Sequence, residues 1–217
     1  MSKIAVVQCP GRDPRRPPRD LSVLVDYLRE RGHSVAVRDI NIELFSERTA
    51  ARKAWDPALL HRWQDESTLA EIIELLALDM AELAEELIDT GARWFYFDVD
   101  RKNLFFTKRL SRLLKEAGRE VKVLYGGPSA RLGGERALVE PREADYFVLF
   151  EDPISTDELI SRFESGKSLE HVRGVLSICD TPPVRHLPRP PVKTLDVYPL
   201  PSYRGFNLQD YPGREME

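Results

Sequence analysis

Three short runs in this 217-residue chain carry residue types that could do chemistry. The first is Cys9-Pro10-Gly11-Arg12, which continues through Arg15 and Arg16 to Arg19 against a single acid, Asp13. Guanidinium groups are planar forks of donors suited to phosphate or carboxylate, and the four prolines of this loop would stiffen their presentation. A solvated surface loop is the equal alternative. The second run is Gly126-Gly127-Pro128-Ser129, where paired glycines remove side chains from a place that another backbone or a flat ligand must approach closely. A tight turn explains the same dipeptide. The third is Asp98-Val99-Asp100, two carboxyl groups ahead of the double glycine.

Other chemistries are excluded. Gly166-Lys167-Ser168 imitates the end of a P-loop, but the required first glycine falls at Ser161, inside a helical pattern. No G-x-G-x-x-G follows the first strand, so a dinucleotide site is not expected. A flavin loop would be rich in Ser and Thr, and this one is rich in Arg and Pro. A phosphate-receiver site lacks the acids at the first strand and the lysine near the fifth. His33, His61, His171 and His186 have no metal-ligand spacing, and no nucleophile is paired with a base.

The elements that must position these runs are legible from periodicity. Short β-branched or aromatic runs at Ile4–Gln8, Ser34–Asp39, Trp94–Asp98, Val121–Tyr125, Tyr146–Leu149 and Val175–Ile178 predict six strands. Helical stretches alternate with them. Asp20 is expected to cap Leu21–Arg31, Lys102–Ala117 stops at Gly118, and Ser155 with Glu158 has capping-box spacing ahead of Leu159–Phe163. Strand, helix and strand in repetition imply a parallel sheet. The expected class is α/β: a flavodoxin-like open parallel sheet with flanking helices, a Rossmann-like three-layer arrangement, plus a Pro-rich extended C-terminal tail. Ligands of such sheets bind beyond the carboxyl ends of the strands where the strand order reverses, here between the first and third strands. The loops Cys9–Arg19, Val99–Asn103 and Gly126–Arg131 should converge there.

Two regions break the rhythm. Residues 41–90 form a helical insertion in which Thr68–Thr90 reads as one long helix, with an apolar stripe from Leu69 to Leu87 and solvated acidic faces. Trp55, His61 and Trp63 should cover a core edge. Residues 181–217 hold eight of the sixteen prolines, yet keep Leu200, Tyr203, Phe206 and Tyr211. The expected division is an α/β domain over 1–180 and a linker or tail over 181–217 that packs on something.

Composition bounds the partners. Thirty-two Lys and Arg against 36 Asp and Glu leave a net charge of −4, which argues against a nucleic-acid binder. No apolar run reaches the ~20 residues of a membrane-spanning helix, so no membrane partner is expected. MSKIAVVQCP is too short and too quickly interrupted for a secretory signal. The two cysteines, Cys9 and Cys179, cannot build a disulfide framework or zinc knuckle, and a reducing cytoplasm is the expected location.

These pieces resemble the N-terminal cobalamin-binding domain of cobalamin-dependent radical SAM proteins. The resemblance rests on Pro17-Pro18 followed by Tyr27-Leu28-Arg29-Glu30-Arg31-Gly32-His33, then Asp39-Ile40-Asn41, Gly126–Pro128 and Ala144-Asp145-Tyr146. It continues through Pro188-Arg189-Pro190-Pro191, Leu195-Asp196 and Leu200-Pro201-Ser202-Tyr203, similar to the segment that leads to the radical SAM barrel. Asp98-Val99-Asp100 falls where a family-like Ser-x-Leu would stand, and Phe150-Glu151-Asp152 where a glycine–glutamate turn would. The D-x-H-x-x-G motif of other cobalamin proteins and the C-x-x-x-C-x-x-C iron–sulfur signature do not occur in these residues.

The resemblance implies a corrinoid bound in base-off form, within a methyltransferase-type system. Its cofactor-binding residues would be Cys9, Pro10, Gly11, Arg12, Asp98, Val99, Asp100, Gly126, Gly127, Pro128, Ser129 and Glu151. It implies no catalysis by this chain alone and a radical SAM barrel, fused or separate, as partner. An iron–sulfur cluster and S-adenosylmethionine would belong to that barrel. A homodimer through the tail is a further expectation. Two alternatives stand beside it: a cobalamin-free relative that serves as a docking domain, and a flavodoxin-like binder of a phosphorylated small molecule.

Overall fold

In the computed structural model, residues 1–118, 120–131, 136, 138–149, 152–178 and 187–213 are described. Glu151, Cys179 and His186 lie outside them. Six strands form one sheet: β1 (Lys3–Gln8), β2 (Ser34–Asp39), β3 (Trp94–Asp98), β4 (Lys122–Gly126), β5 (Tyr146–Val148) and β6 (Val175–Ser177). Their order is β2-β1-β3-β4-β5-β6. All neighbours are parallel except β5 and β6, which run antiparallel. The expected reversal between the first and third strands is present, and the sixth strand adds an antiparallel edge.

The inner strands are apolar on both faces because helices cover both. Ala5, Val7, Phe95, Phe97 and Tyr125 face one layer, with Ile72, Leu83, Leu87, Phe106 and Leu110 of the helices. Ile4, Val6, Trp94, Tyr96 and Leu124 face the other, with Leu21, Leu24, Leu28, Leu159 and Ile160. The alternation follows the two-residue period of a strand.

The helices are α1 (Arg19–Glu30), α2 (Ile40–Glu47), α3 (Glu66–Leu75), α4 (Met80–Asp89), α5 (Leu104–Ala117), the single turn α6 (Pro128–Arg131) and α7 (Pro153–Glu164). Three expectations need correction. Asp20 lies in the first turn of α1 and is not its cap, because Pro18 takes the position before the helix. Asp152 caps α7, accepting from the amides of Ile154 and Ser155, while Ser155 Oγ donates to the Arg173 carbonyl. The long helix over Thr68–Thr90 is two helices. The chain turns at Ala77, which adopts φ 47°, and Asp79 then caps α4 by accepting from the amides of Ala81 and Glu82. The apolar stripe runs across the break, with Leu76 and Met80 both buried.

Part of the Pro-rich tail is a strap that belongs to the core. Arg189 ties it to α7, its Nε 2.8 Å from Ser155 Oγ and from Asp152 Oδ2. Further on, Ser202 donates its amide to Asp26 (2.6 Å) and Tyr203 to Ser22 Oγ (2.8 Å), both on α1. Phe206 and Tyr211 are buried among the apolar residues of α1 and β2, whereas Leu200 is 88% exposed. Truncating Phe206 to Ala should cost about 3 kcal/mol of unfolding free energy in urea, by loss of buried area and the cavity left behind. Leu200→Ala should cost less than about 0.5 kcal/mol. Equal effects would mean that the strap does not pack as described.

Candidate functional site

Register brings the carboxyl ends of four strands into one row. Gln8 pairs with Asp39, Val7 with Phe97, and Asp98 with Gly126. Above this row the three expected loops converge.

The loop after β1 turns at Gly11, whose φ of 104° favours glycine. A Cβ there would stand 3.0 Å from the Lys102 carbonyl oxygen, so this loop packs closely on the loop after β3. Arg12 then reaches across the reversal point. Its Nη2 donates to Asp98 Oδ2 at 2.6 Å, and its Nε lies 3.2 Å from Asp100 Oδ2. Its backbone amide donates to Asn41 Oδ1 (3.2 Å), which also accepts from Trp55 Nε1 (2.8 Å). Gln8 completes the cluster: with its side-chain amide oriented to satisfy its neighbours, the nitrogen donates to Asp98 Oδ2 (3.3 Å) and the oxygen accepts from Arg12 Nε (3.2 Å).

The loop after β3 is held by its own turn. Asp100 Oδ1 accepts from the amides of Lys102 and Asn103, and buried Asn103 donates from Nδ2 to the Asp98 carbonyl (2.8 Å). Val99 is buried, its amide donating to the Gly126 carbonyl (3.0 Å) and its carbonyl accepting from the Ser129 amide (2.9 Å). The double glycine is therefore pressed against β3. A Cβ on Gly126 would fall 1.8 Å from the Tyr96 hydroxyl, and one on Gly127, at φ 82°, would fall 2.3 Å from Asp98 Oδ1. Ser129, one residue past Pro128, is 3% exposed, and its hydroxyl has no hydrogen-bond partner among the described residues.

Burial pushes the Asp98 carboxyl above its ordinary value; Arg12 pulls it back and Asp100 adds to the rise. Asp39, at the neighbouring strand end, is pushed up to about 6, chiefly by burial. It accepts from the Ile42 amide (3.0 Å) and from the Tyr211 hydroxyl. Burial also drives the Cys9 thiol up to about 12, so this cysteine is no nucleophile at neutral pH.

Among the predicted residues, Cys9, Gly11, Arg12, Asp98, Val99, Asp100, Gly126, Gly127 and Ser129 meet at this crevice, with Pro10 and Pro128 in the same loops. The sequence reading missed Gln8, Asn41, Trp55, Asn103 and the Asp39–Tyr211 pair. Asn41 had one available signal, its place directly after a strand whose end borders the reversal point. A groove between the α3–α4 turn and α5, lined by Ile73, Leu78, Met80 and Arg109, shares no residue with the crevice. Among the described residues, no group of His, Cys, Asp and Glu is placed to hold a metal ion, and no helix is long and apolar enough to cross a membrane.

No family model matches the sequence, and no curated protein matches it. Solved structures do. The cobalamin-dependent S-adenosylmethionine radical enzyme OxsB, with aqua-cobalamin bound, superposes on 97% of this chain with a TM-score of 0.66 at 14% identity. The fold is one found in cobalamin-dependent radical enzymes. The radical S-adenosylmethionine methyltransferase TsrM from Kitasatospora setae, with cobalamin and a [4Fe-4S] cluster bound, matches 90% of this chain with a TM-score of 0.53 at 18% identity. This chain spans only 25% of the OxsB chain and 30% of the TsrM chain.

The elevated Asp39 fixes a pH dependence. Its folded value near 6 lies above the ordinary 3.8, so the folded protein keeps a proton that the unfolded chain has released. Stability from this group is complete below the lower value and is lost as pH rises through the upper one. Asp39→Asn keeps an acceptor for Ile42 and does not titrate. Wild type should therefore lose about 2 kcal/mol relative to this variant between pH 4 and 7. Parallel pH profiles of urea unfolding would contradict the assignment.

Proposed function

We propose that this domain binds a corrinoid, in base-off form, at the carboxyl edge of its sheet and works with a radical SAM catalytic domain of methyltransferase type. The observation that carries the reading is the buried Ser129 hydroxyl, two residues past the Gly126–Gly127 pair and without a hydrogen-bond partner among the described residues. A buried hydroxyl in that state costs free energy until something bonds to it. The row in which it lies is where ligands of such sheets bind, and OxsB and TsrM, which share this fold over 25% and 30% of their chains, are solved with cobalamin bound.

The crevice residues fit this cofactor in stated ways. Ser129 offers a donor to a ring nitrogen or amide, and Asp98, raised in pKa, offers a second donor once protonated. Gly11, Gly126 and Gly127 let backbone approach without side chains, and the expected residues Cys9, Pro10, Arg12, Val99, Asp100 and Pro128 belong to the same loops; Glu151 is expected to join them from beyond β5. A bound corrinoid supplies a cobalt centre that can carry a methyl group. The chain itself orients and shields. Iron–sulfur and S-adenosylmethionine chemistry fall to the catalytic domain, because two cysteines cannot hold a four-cysteine cluster or its three-cysteine variant. Exposed Leu195, Val197 and Leu200 offer that domain an apolar contact; a second copy of this chain is the other occupant the strip would fit. A reducing cytoplasm suits this chemistry.

One observation favours the cobalamin-free docking reading: Arg12 and Asp98 already occupy the space above the glycines. Absorbance titration with aquacobalamin separates the two. Binding is expected, with Ser129→Ala weakening it roughly five- to tenfold, the loss of one buried hydrogen bond, while thermal stability without ligand rises because an unpartnered hydroxyl is removed. Affinity should rise as pH falls, since protonation gives Asp98 its donor and loosens its hold on Arg12. No binding at any pH would leave the docking reading.

A further inference from the structure

The α3–α4 pair and α5 carry opposite charge on either side of one groove. Between Thr68 and Thr90 the sequence holds seven acidic residues and no Lys or Arg. Glu71 pairs with Arg62 and Glu86 with Arg38, while Glu74, Glu82, Glu85 and Asp89 have no cationic partner among the described residues. Glu82 with Glu86 and Glu85 with Asp89 repeat like charge at helical spacing, which costs a helix free energy unless cations approach. Across the groove, Arg109 of α5 is exposed and has no partner among the described residues. Arg112 beside it gives Nη2 to Glu143, and its buried Nε has no hydrogen-bond partner among them.

The floor between these charges is apolar. Ile73 and Met80 are buried beneath it, Leu78 and Leu113 are half-buried, and Ala77 and Ala81 are exposed along it. Helix α3 ends at Leu75, 40% exposed, and the turn that follows passes through Ala77 in the left-handed region. The groove encloses about 680 Å³, room for several side chains. Asp79 at its rim is engaged in capping α4. Glu85 lies one turn beyond Ala81 on the same face of α4, so a free acid borders the floor on one side and Arg109 on the other.

We infer that this groove is an interface between two copies of the chain. An isologous dimer uses one patch twice, so the patch must be complementary to itself. Helices α4 and α5 pack side by side. A two-fold axis running along the groove between them lays α4 of each copy over α5 of the other. The uncompensated acids of one copy then meet Arg109 and Arg112 of the partner subunit, and the two apolar floors close on each other. An apolar centre with a charged rim is the usual anatomy of such a contact. A second copy also satisfies both signs at once: an acidic peptide would leave the α4 carboxylates uncompensated, and a basic one would leave Arg109. The groove shares no residue with the crevice, so the inference stands independently of the corrinoid reading.

Light scattering on the full chain reads the outcome as a mass. At low salt and about 1 to 100 μM, a range that suits interfaces of modest size, the mass should rise from 24.9 kDa toward twice that value. Arg109→Glu and Glu85→Lys, both at exposed positions, should each weaken association about a hundredfold, because the two-fold repeats each like-charge contact. Both variants should keep the circular dichroism of the wild type. An equimolar mixture of the two should regain the dimer mass, since each altered charge then faces its opposite; a merely structural role for either residue would not be rescued by mixing. Salt near about 1 M should shift the wild type toward monomer. A wild type that is monomeric throughout the range, a dimer that survives Arg109→Glu, or a mixture that stays monomeric would each overturn the interface. Loss of the dimer in Leu200→Glu, with Arg109→Glu still dimeric, would place the second copy on the strap instead.

Discussion

A parallel sheet covered by helices on both faces leaves no lateral route to water for its inner strands. Ile4 to Val7 and Trp94 to Phe97 are all buried, so charged side chains of these strands must sit at an end. The first residues free to be charged are Asp98 and, one strand beyond β1, Asp39. The grouping of Asp39, Asp98, Asp100 and Arg12 at the carboxyl edge follows from this constraint. It is also the reason that the edge is the chemically distinctive part of the molecule.

The two ends of the sheet handle buried acids differently. At the amino end, Glu143 is fully buried but takes Arg112 at 2.5 Å and Lys108 at 3.7 Å. Asp145 takes Lys115 and Lys122 and also accepts from the Val123 amide. Those carboxylates have more cationic partners than they need and act as clamps. At the carboxyl end Asp98 shares one arginine with Asp100, and Asp39 has a neutral phenol in place of a cation. Ordinary stabilisation thus lies at one end, and incomplete compensation at the other.

Much of this was legible in the residues. The strands announce themselves because β-branched and aromatic runs of five or six residues, broken by glycine and separated by amphipathic stretches, have few other solutions. The convergence of three loops then follows from the reversal of strand order. The α3–α4 break escaped because the turn at Ala77 keeps Leu76 and Met80 on the buried side, so the stripe reads as continuous. The cap at Asp152 was missed because several residues near that helix start can cap, and the cap at Asp79 because no helix start was expected inside the continuous stripe. Arginines in the first loop and the acid at Asp98 were visible separately. Their pairing spans 86 positions, and no local pattern encodes it. The strap escaped in part for the same reason: its composition says that it must pack, and only the folded chain says on what.

The strap also bears on the order in which the molecule is assembled. Several of its contacts join residues 172 to 181 positions apart, among them Tyr211 with Asp39 and Tyr203 with Ser22. Such closures come late, because the chain loses loop entropy before they return any contact energy. During synthesis α1 and β2 are complete long before Phe206 and Tyr211 exist, and their outer flank waits uncovered. That flank is the stretch of this domain most in need of a chaperone. The segment that shields it is made after everything it covers.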